Sequence, residues 1–348
     1  MSQSRRVLTT DGAGRIRVID EPCPVSAAGE VLVEVAASIV SPGTELGGVA
    51  GRRAAPRDDG PAPFGYSNAG VILALGDGVT TRDVGQRVAC MGKGALHATH
   101  AVVPVNLTAP IPDGVSDADA SAVHLLATAL HAARRLEPEI GHYVAVAGLG
   151  IVGNFSAQCA RLGGCHVVGM DGLPLRREIA GRCGLDLCVD PQDGGCAEQI
   201  GDLTRGHGLD GAVIAFAGEA TETLERLMSM MKHAPDGHAM GRVAIVGGAT
   251  IDHAFAAALG NLDLLSVART GPGYHDAAWE QGGDYPPVIV PWTTGRNMEQ
   301  CLDFIANKRL LVEPLITHRV SLSDAPDACD LLISSPNEAL GVVILPGE

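Results

Sequence analysis

The chain has 348 residues, 46% of them hydrophobic, and a formal net charge of −15 from 25 basic and 40 acidic side chains. That balance argues against a nucleic acid or an anionic membrane surface as partner, and no apolar run approaches the ~18 residues of a membrane span. The length predicts two domains. With two Trp, four Tyr and five Phe, the core must be built from Val, Ala, Leu and Ile. The nine cysteines are scattered, odd in number and without a C-x-x-C pair. This suits reduced thiols and leaves no ligands for a cysteine zinc knuckle. Residues 1–6 lead into no signal-type apolar stretch, so a cytoplasmic location is expected.

The first third reads as short strands at 15–20, 30–39, 69–75 and 87–91, each bounded by Gly, Pro and Asp. Residues 50–64, rich in Gly, Pro, Arg and Asp, are expected to form an exposed loop. At 117–136 the apolar period becomes helical. Strands and helices then alternate, with strands expected near 143–148, 166–170, 187–189, 211–215, 242–247 and 264–268. That order predicts a doubly wound parallel α/β sheet of about six strands. A Gly/Pro/aromatic stretch at 271–295 follows, then a helix at 297–307. The tail gives strand, helix and strand at 315–320, 325–334 and 342–345.

The most informative segment is 143–171. Gly148, Gly150 and Gly153 fall at G-x-G-x-x-G spacing between a β-branched run and a helical one that opens with Ile151 and Val152. Asp171 ends the next strand, about 20 residues on. The first glycine allows a tight turn, the second lets backbone approach a pyrophosphate, and the third lets helix and strand pack closely. A carboxylate at Asp171 hydrogen-bonds a free ribose 2′-hydroxyl and repels a 2′-phosphate, so NAD is favoured over NADP. Arg176 and Arg177 read either as phosphate contacts or as a solvated helix start.

An N-terminal β unit, an inserted dinucleotide unit and a C-terminal return together resemble the medium-chain dehydrogenase/reductase superfamily. The local signatures are G-E-V-L-V-E-V at 29–35, G-Y-S-N-A-G-V at 65–71, V-G-Q-R-V at 84–88 and A-T-A-L at 127–130. S-P-G-T-E at 41–45 resembles one subgroup, as do G-P-G at 271–273, G-D-Y-P at 283–286 and R-N-M at 296–298. The resemblance implies a GroES-like β-rich catalytic domain with a Rossmann domain inserted in it. It gives 1–119 as the first part of the catalytic domain, 120–295 as the NAD-binding domain and 296–348 as the return. It also implies oxidoreductase chemistry on an alcohol, a small-molecule substrate, and a homodimer or homotetramer joined at the sheet edge near 264–268.

Zinc members of that superfamily hold the metal with a Cys, a His and a third Cys or acid. Here Pro42 stands at the first position, Tyr66 at the second and His124 at the third, so the resemblance implies a zinc-independent member. His97 and His100 are spaced for a metal, but isolated histidines near a strand edge are more often polar surface or pocket residues. Without zinc, the proton must be carried by side chains. By resemblance, Thr44 contacts the alcohol and relays its proton. Tyr66 is a phenol donor or a pocket wall, and Glu45 is a supporting carboxylate. His124, whose imidazole ordinarily titrates near neutrality, is a general acid/base or a satisfied histidine at a helix start. Ser67, Lys93, His97, Asp284 and Tyr285 are candidate substrate contacts, with Arg296 and Asn297 nearby. These groups suit a sugar, cyclitol or other polyol. Two alternatives remain: a zinc-free enone or quinone reductase, and an NAD-binding scaffold without turnover.

Overall fold

The computed structural model describes residues 4–254 and 259–347. The chain divides into two compact units, Met1–Ala127 with Thr270–Glu348, and Thr128–Arg269. Among the described residues no helix is long and apolar enough to cross a membrane.

The first unit is β-rich. Its seven-stranded sheet is centred on Glu30–Ile39, which pairs antiparallel with Ser67–Leu75, His100–Pro104 and Gly341–Leu345. Alternating burial along Glu30–Ile39 follows the period-2 pattern of its sequence, with Val31, Val33, Val35 and Ala37 inward. The C-terminal strands Ile316–Ser321 and Gly341–Leu345 close this sheet, as the return predicted from the tail requires. Leu8, Val40, Leu46, Val49, Leu332 and Ile344 are buried in one cluster there. Each such side chain contributes about 1.5–3 kcal/mol on burial.

The stretch expected to be a loop at 50–64 begins instead as a helix, Gly47–Ala54. Its three glycines disfavour helix, but Val49 is buried and the Arg53 Nε donates to the Gly14 carbonyl at 3.0 Å. Tertiary contacts outweigh propensity here. The helical stretch at 117–136 is two helices, Asp117–Ser121 and Val123–Leu136. At the break, the Ser67 hydroxyl donates to the Ser121 carbonyl at 2.5 Å. The break puts His124 in the first turn of the second helix.

The second unit holds a six-stranded sheet, all parallel. In chain order, the strands Tyr143–Ala147, His166–Met170, Leu187–Val189, Gly211–Ile214, Met240–Val246 and Asn261–Val267 are arranged 3-2-1-4-5-6. This is the doubly wound order. Its core includes Val168, Met170, Ile200, Leu209, Ile214, Leu224 and Val243.

The unit boundaries fall after residues 127 and 269 rather than at 120 and 295. The reason is that 270–295 binds into the β-rich unit. Asn106 Nδ2 donates to the carbonyls of Trp279 at 2.5 Å and Gly283 at 2.7 Å, and the Thr270 hydroxyl reaches the Met91 sulfur at 3.8 Å.

Candidate active site

In the second unit, Tyr143–Ala147 lies between His166–Met170 and Gly211–Ile214, where the winding of the sheet reverses. Open α/β sheets bind ligands beyond the carboxyl ends of their strands at this point. A hollow of about 260 Å³ lies there, lined by Gly148, Asp171, Arg176, Gln192, Phe216 and Arg226 among others. Gly148 has φ +90°, which favours glycine, and its amide donates to the Met170 carbonyl at 2.8 Å. Gly153 packs so close that a Cβ would lie 1.7 Å from the Gly148 oxygen. Gly150 caps the helix Ile151–Leu162. A Cβ there would meet nothing within 4 Å, so the surface over this residue is open. Ile151 is buried and Val152 half-buried at the helix start.

Asp171 is 7% exposed and well ordered by hydrogen bonds. Its Oδ2 accepts from the Leu149 amide at 2.7 Å and its Oδ1 from the Leu173 amide at 2.9 Å. Arg176 Nη1 lies 3.5 Å from Oδ2, while Arg176 Nε is buried without a hydrogen-bond partner. Arg177 turns the other way, donating to the Asp171 carbonyl and to Asp190 at 3.0 Å. The helix N-terminus, the tight glycine turn and the carboxyl group beside the hollow together fit a dinucleotide.

The first unit holds a second polar constellation. The turn Pro42–Leu46 carries Thr44 and Glu45. Glu45 Oε2 accepts from the Ser41 amide at 2.7 Å. Glu45 also faces His97 Nε2, 3.2 Å from Oε1 and 3.4 Å from Oε2. His97 Nδ1 lies 2.9 Å from the Ser38 hydroxyl. With Nε2 donating to the carboxylate, Nδ1 accepts from that hydroxyl. This Ser38–His97–Glu45 chain is buried.

Tyr66 and His124 stand edge-on, with ring centroids 4.5 Å apart and planes at 68°. His124 Nδ1 donates to the Tyr66 carbonyl at 2.9 Å, leaving Nε2 as the acceptor nitrogen. Burial pushes the His124 imidazole down to about 4, with the Tyr66 carbonyl and the Glu45 charge pulling the other way. An imidazole held that low is neutral at pH 7. Burial also raises the Tyr66 phenol above its ordinary value. The Glu45 charge adds to that, while hydrogen bonding with Ser41 and Thr44 opposes it. Tyr66 is thus a protonated phenol with hydroxyl neighbours, and Thr44 among them is exposed.

Other expected contacts are placed differently. His97 is fully buried and faces Glu45. Ser67 is buried and its hydroxyl donates to Ser121. Asp284 pairs with Arg296, and the Tyr285 hydroxyl donates to Asp276 at 2.6 Å, so both brace their own segment. Asn297 is buried, with its Nδ2 donating to the Thr270 carbonyl at 2.7 Å. Lys93 is exposed. The residue that sequence reasoning missed is Tyr274, whose ring lies edge-on to His124 at 6.0 Å. Its signal was its place directly after the G-P-G turn. Nor do these groups fit a catalytic zinc. The ligand positions offer one imidazole, already engaged through Nδ1. Among the described residues no three His, Cys, Asp or Glu are grouped to hold a metal ion.

Residues 152–282 match the family model described as zinc-binding dehydrogenase. An alcohol dehydrogenase of Cupriavidus necator is 25% identical over 383 residues, covering 96% of each chain. The D-guloside 3-dehydrogenase of Shigella flexneri is 29% identical over 279 residues, 79% of this chain and 75% of that one. A phenolphthiocerol/phthiocerol polyketide synthase polypeptide of Mycobacterium tuberculosis is 27% identical over 299 residues. That match takes in 84% of this chain but only 12% of the synthase. Three solved structures share the fold at TM-scores of 0.76–0.78 and 18–20% identity, each covering at least 98% of both chains. They are a Sinorhizobium meliloti dehydrogenase bound to NADP, an Escherichia coli alcohol dehydrogenase with NADH, and Escherichia coli galactitol-1-phosphate dehydrogenase.

Proposed function

We propose that the chain is a zinc-independent polyol dehydrogenase of the medium-chain dehydrogenase/reductase superfamily, a reading supported by the family-model match and the similar alcohol dehydrogenase. It transfers hydride reversibly between NAD and a secondary alcohol of a sugar, cyclitol or related polyol. The observation that carries this reading is the Tyr66–His124 pair. One phenol held protonated and one imidazole held neutral stand at positions where zinc relatives place metal ligands.

The nicotinamide supplies the hydride acceptor or donor when bound. The remaining work falls to the side chains. His124, held neutral, braces Tyr66: its Nδ1 donates to the Tyr66 carbonyl and its ring packs against the phenol. The Tyr66 hydroxyl receives the alcohol proton while passing its own to Thr44, which is exposed and delivers it to water. Because Tyr66 takes one proton as it gives another, it relays without becoming an anion, consistent with its raised pKa. In the reverse direction the same phenol donates to a carbonyl oxygen. Glu45, held by His97 and the Ser41 amide, supplies the fixed negative charge behind this relay.

The Asp171 carboxyl beside the glycine turn supports NAD over NADP, and Arg176 gives a 2′-phosphate a weaker foothold. The guloside and galactitol phosphate substrates of two of the similar enzymes support a hydroxyl-rich substrate. Self-association through Asn261–Val267, which ends the sheet, is part of the proposal. A second reading, reduction of a conjugated carbonyl, draws on the polyketide synthase similarity and on the protonated Tyr66.

The test is to incubate the protein with NAD or NADP and a panel of polyols and to follow reduced nicotinamide. Polyol-dependent NADH formation supports the first reading. No turnover of any polyol, together with NADPH-dependent reduction of enones, supports the second.

A further inference from the structure

Tyr274 follows the Gly271–Gly273 turn, and its ring stands edge-on to His124, with centroids 6.0 Å apart and planes at 87°. Tyr66 stands edge-on to the same imidazole at 4.5 Å. Two of the chain's four tyrosines therefore flank one histidine. Tyr274 is close enough to influence the ionisation of Tyr66.

The backbone on either side of Tyr274 is unusual. Gly273 has φ +105°, and a Cβ there would lie 2.5 Å from the Trp279 ring. His275, not a glycine, has φ +73°. Its amide donates to Glu280 Oε1 at 2.7 Å, and its ring stacks on Tyr274 at 3.9 Å. Strained backbone persists where the surroundings over-determine it, and it clusters at ligand clamps. Here it fixes the direction of one aromatic ring. The segment is anchored below by hydrogen bonding between the Thr270 and Thr294 hydroxyls at 2.9 Å.

The two phenols have different tasks. In the proposed relay Tyr66 takes the proton of the reacting carbinol, which leaves the second phenol beside the same imidazole for whatever the substrate carries next to it. We propose that Tyr274 is a substrate-positioning residue that hydrogen-bonds a hydroxyl adjacent to the reacting carbinol, so that the site selects vicinal diols over simple secondary alcohols. This rests on the dehydrogenase reading above. The discrimination is physical: a site built to bond a hydroxyl forfeits that bond, without compensation from water, when the substrate lacks the group.

The experiment compares trans-1,2-cyclohexanediol with cyclohexanol, by calorimetric titration in the presence of NADH and by steady-state oxidation with NAD. The wild type and Tyr274→Phe are measured side by side. The Phe variant keeps the ring and its packing, and a Tyr274→Leu variant with its melting curve checks that folding is not the cause. Tyr274→Phe is expected to lower the diol-to-cyclohexanol ratio, in affinity and in kcat/KM, by about tenfold. An unaltered diol-to-alcohol ratio, with the wild type active, overturns this inference and leaves the dehydrogenase reading standing. Diol binding that depends on Tyr274, without turnover of any alcohol, keeps the inference and overturns that reading.

Discussion

The carbonyl oxygen of Tyr66 accepts from His124 Nδ1 at 2.9 Å and from the Gly92 amide, also at 2.9 Å. Because a carbonyl cannot donate, this contact fixes the proton of His124 on Nδ1 and presents Nε2 as an acceptor. One residue thus contributes twice: its backbone sets the state of the imidazole, and its side chain supplies a phenolic donor beside Ser41 and Thr44.

Tyr66→Phe removes the donor while keeping the ring against His124. Its kcat/KM for alcohol oxidation is expected to fall by at least about a hundredfold. Cofactor affinity, set by residues of the other unit, should change little. Steady-state kinetics and fluorescence titration with NADH check the two halves of this expectation, and an equal loss in both would contradict it.

The low His124 value predicts acid sensitivity. An imidazole that ordinarily takes a proton near 6.5 but is held at about 4 in the folded protein makes the unfolded chain bind protons first as pH falls. Its contribution is therefore intact above about 6.5 and is lost on the way down to 4. By pH 5 it amounts to about 2 kcal/mol of lost stability. Urea midpoints at pH 7.5 and 5 should show this loss in the wild type and a correspondingly smaller one in His124→Asn, which retains a donor to Tyr66.

His97→Leu leaves the buried Glu45 carboxyl and Ser38 hydroxyl without their shared partner. The expected loss is about 2–3 kcal/mol, read as a lower urea midpoint. A change inside 0.5 kcal/mol, on the order of an ordinary surface substitution, would show that the Ser38–His97–Glu45 chain holds nothing together.

At the nucleotide hollow, Asp171→Ser removes the charge that opposes a 2′-phosphate and leaves Arg176 in place. The NADP-to-NAD preference should rise on the order of 10- to 100-fold, since juxtaposed like charges cost several kcal/mol. Adding Arg176→Ala should reverse most of that gain. Paired kcat/KM values for the two cofactors decide it.

The Rossmann unit was legible in the sequence because its signals are local. Gly148, Gly150, Gly153 and Asp171 lie within one strand–turn–helix–strand stretch whose spacing has a single geometric meaning. The polar constellation was legible only in part. Thr44, Tyr66 and His124 were found through the resemblance, but the depressed pKa of His124 comes from burial, which no spacing reveals. The partners of His97 and Tyr285, Glu45 and Asp276, are set by tertiary folding and leave no local signal. Tyr274 meets His124 from 150 residues away, and only the folding of 270–295 back onto the β-rich unit brings it there. The same long-range packing shifted both domain boundaries.

The central claim is that the proton is carried by Tyr66 and Thr44, beside a neutral His124, with no zinc. The most direct measurement is NAD-linked polyol oxidation by protein dialysed against a strong chelator, with metal content determined on the same sample. The account predicts undiminished turnover at well under one zinc per chain. Loss of activity on chelation, restored by one equivalent of zinc, would contradict it.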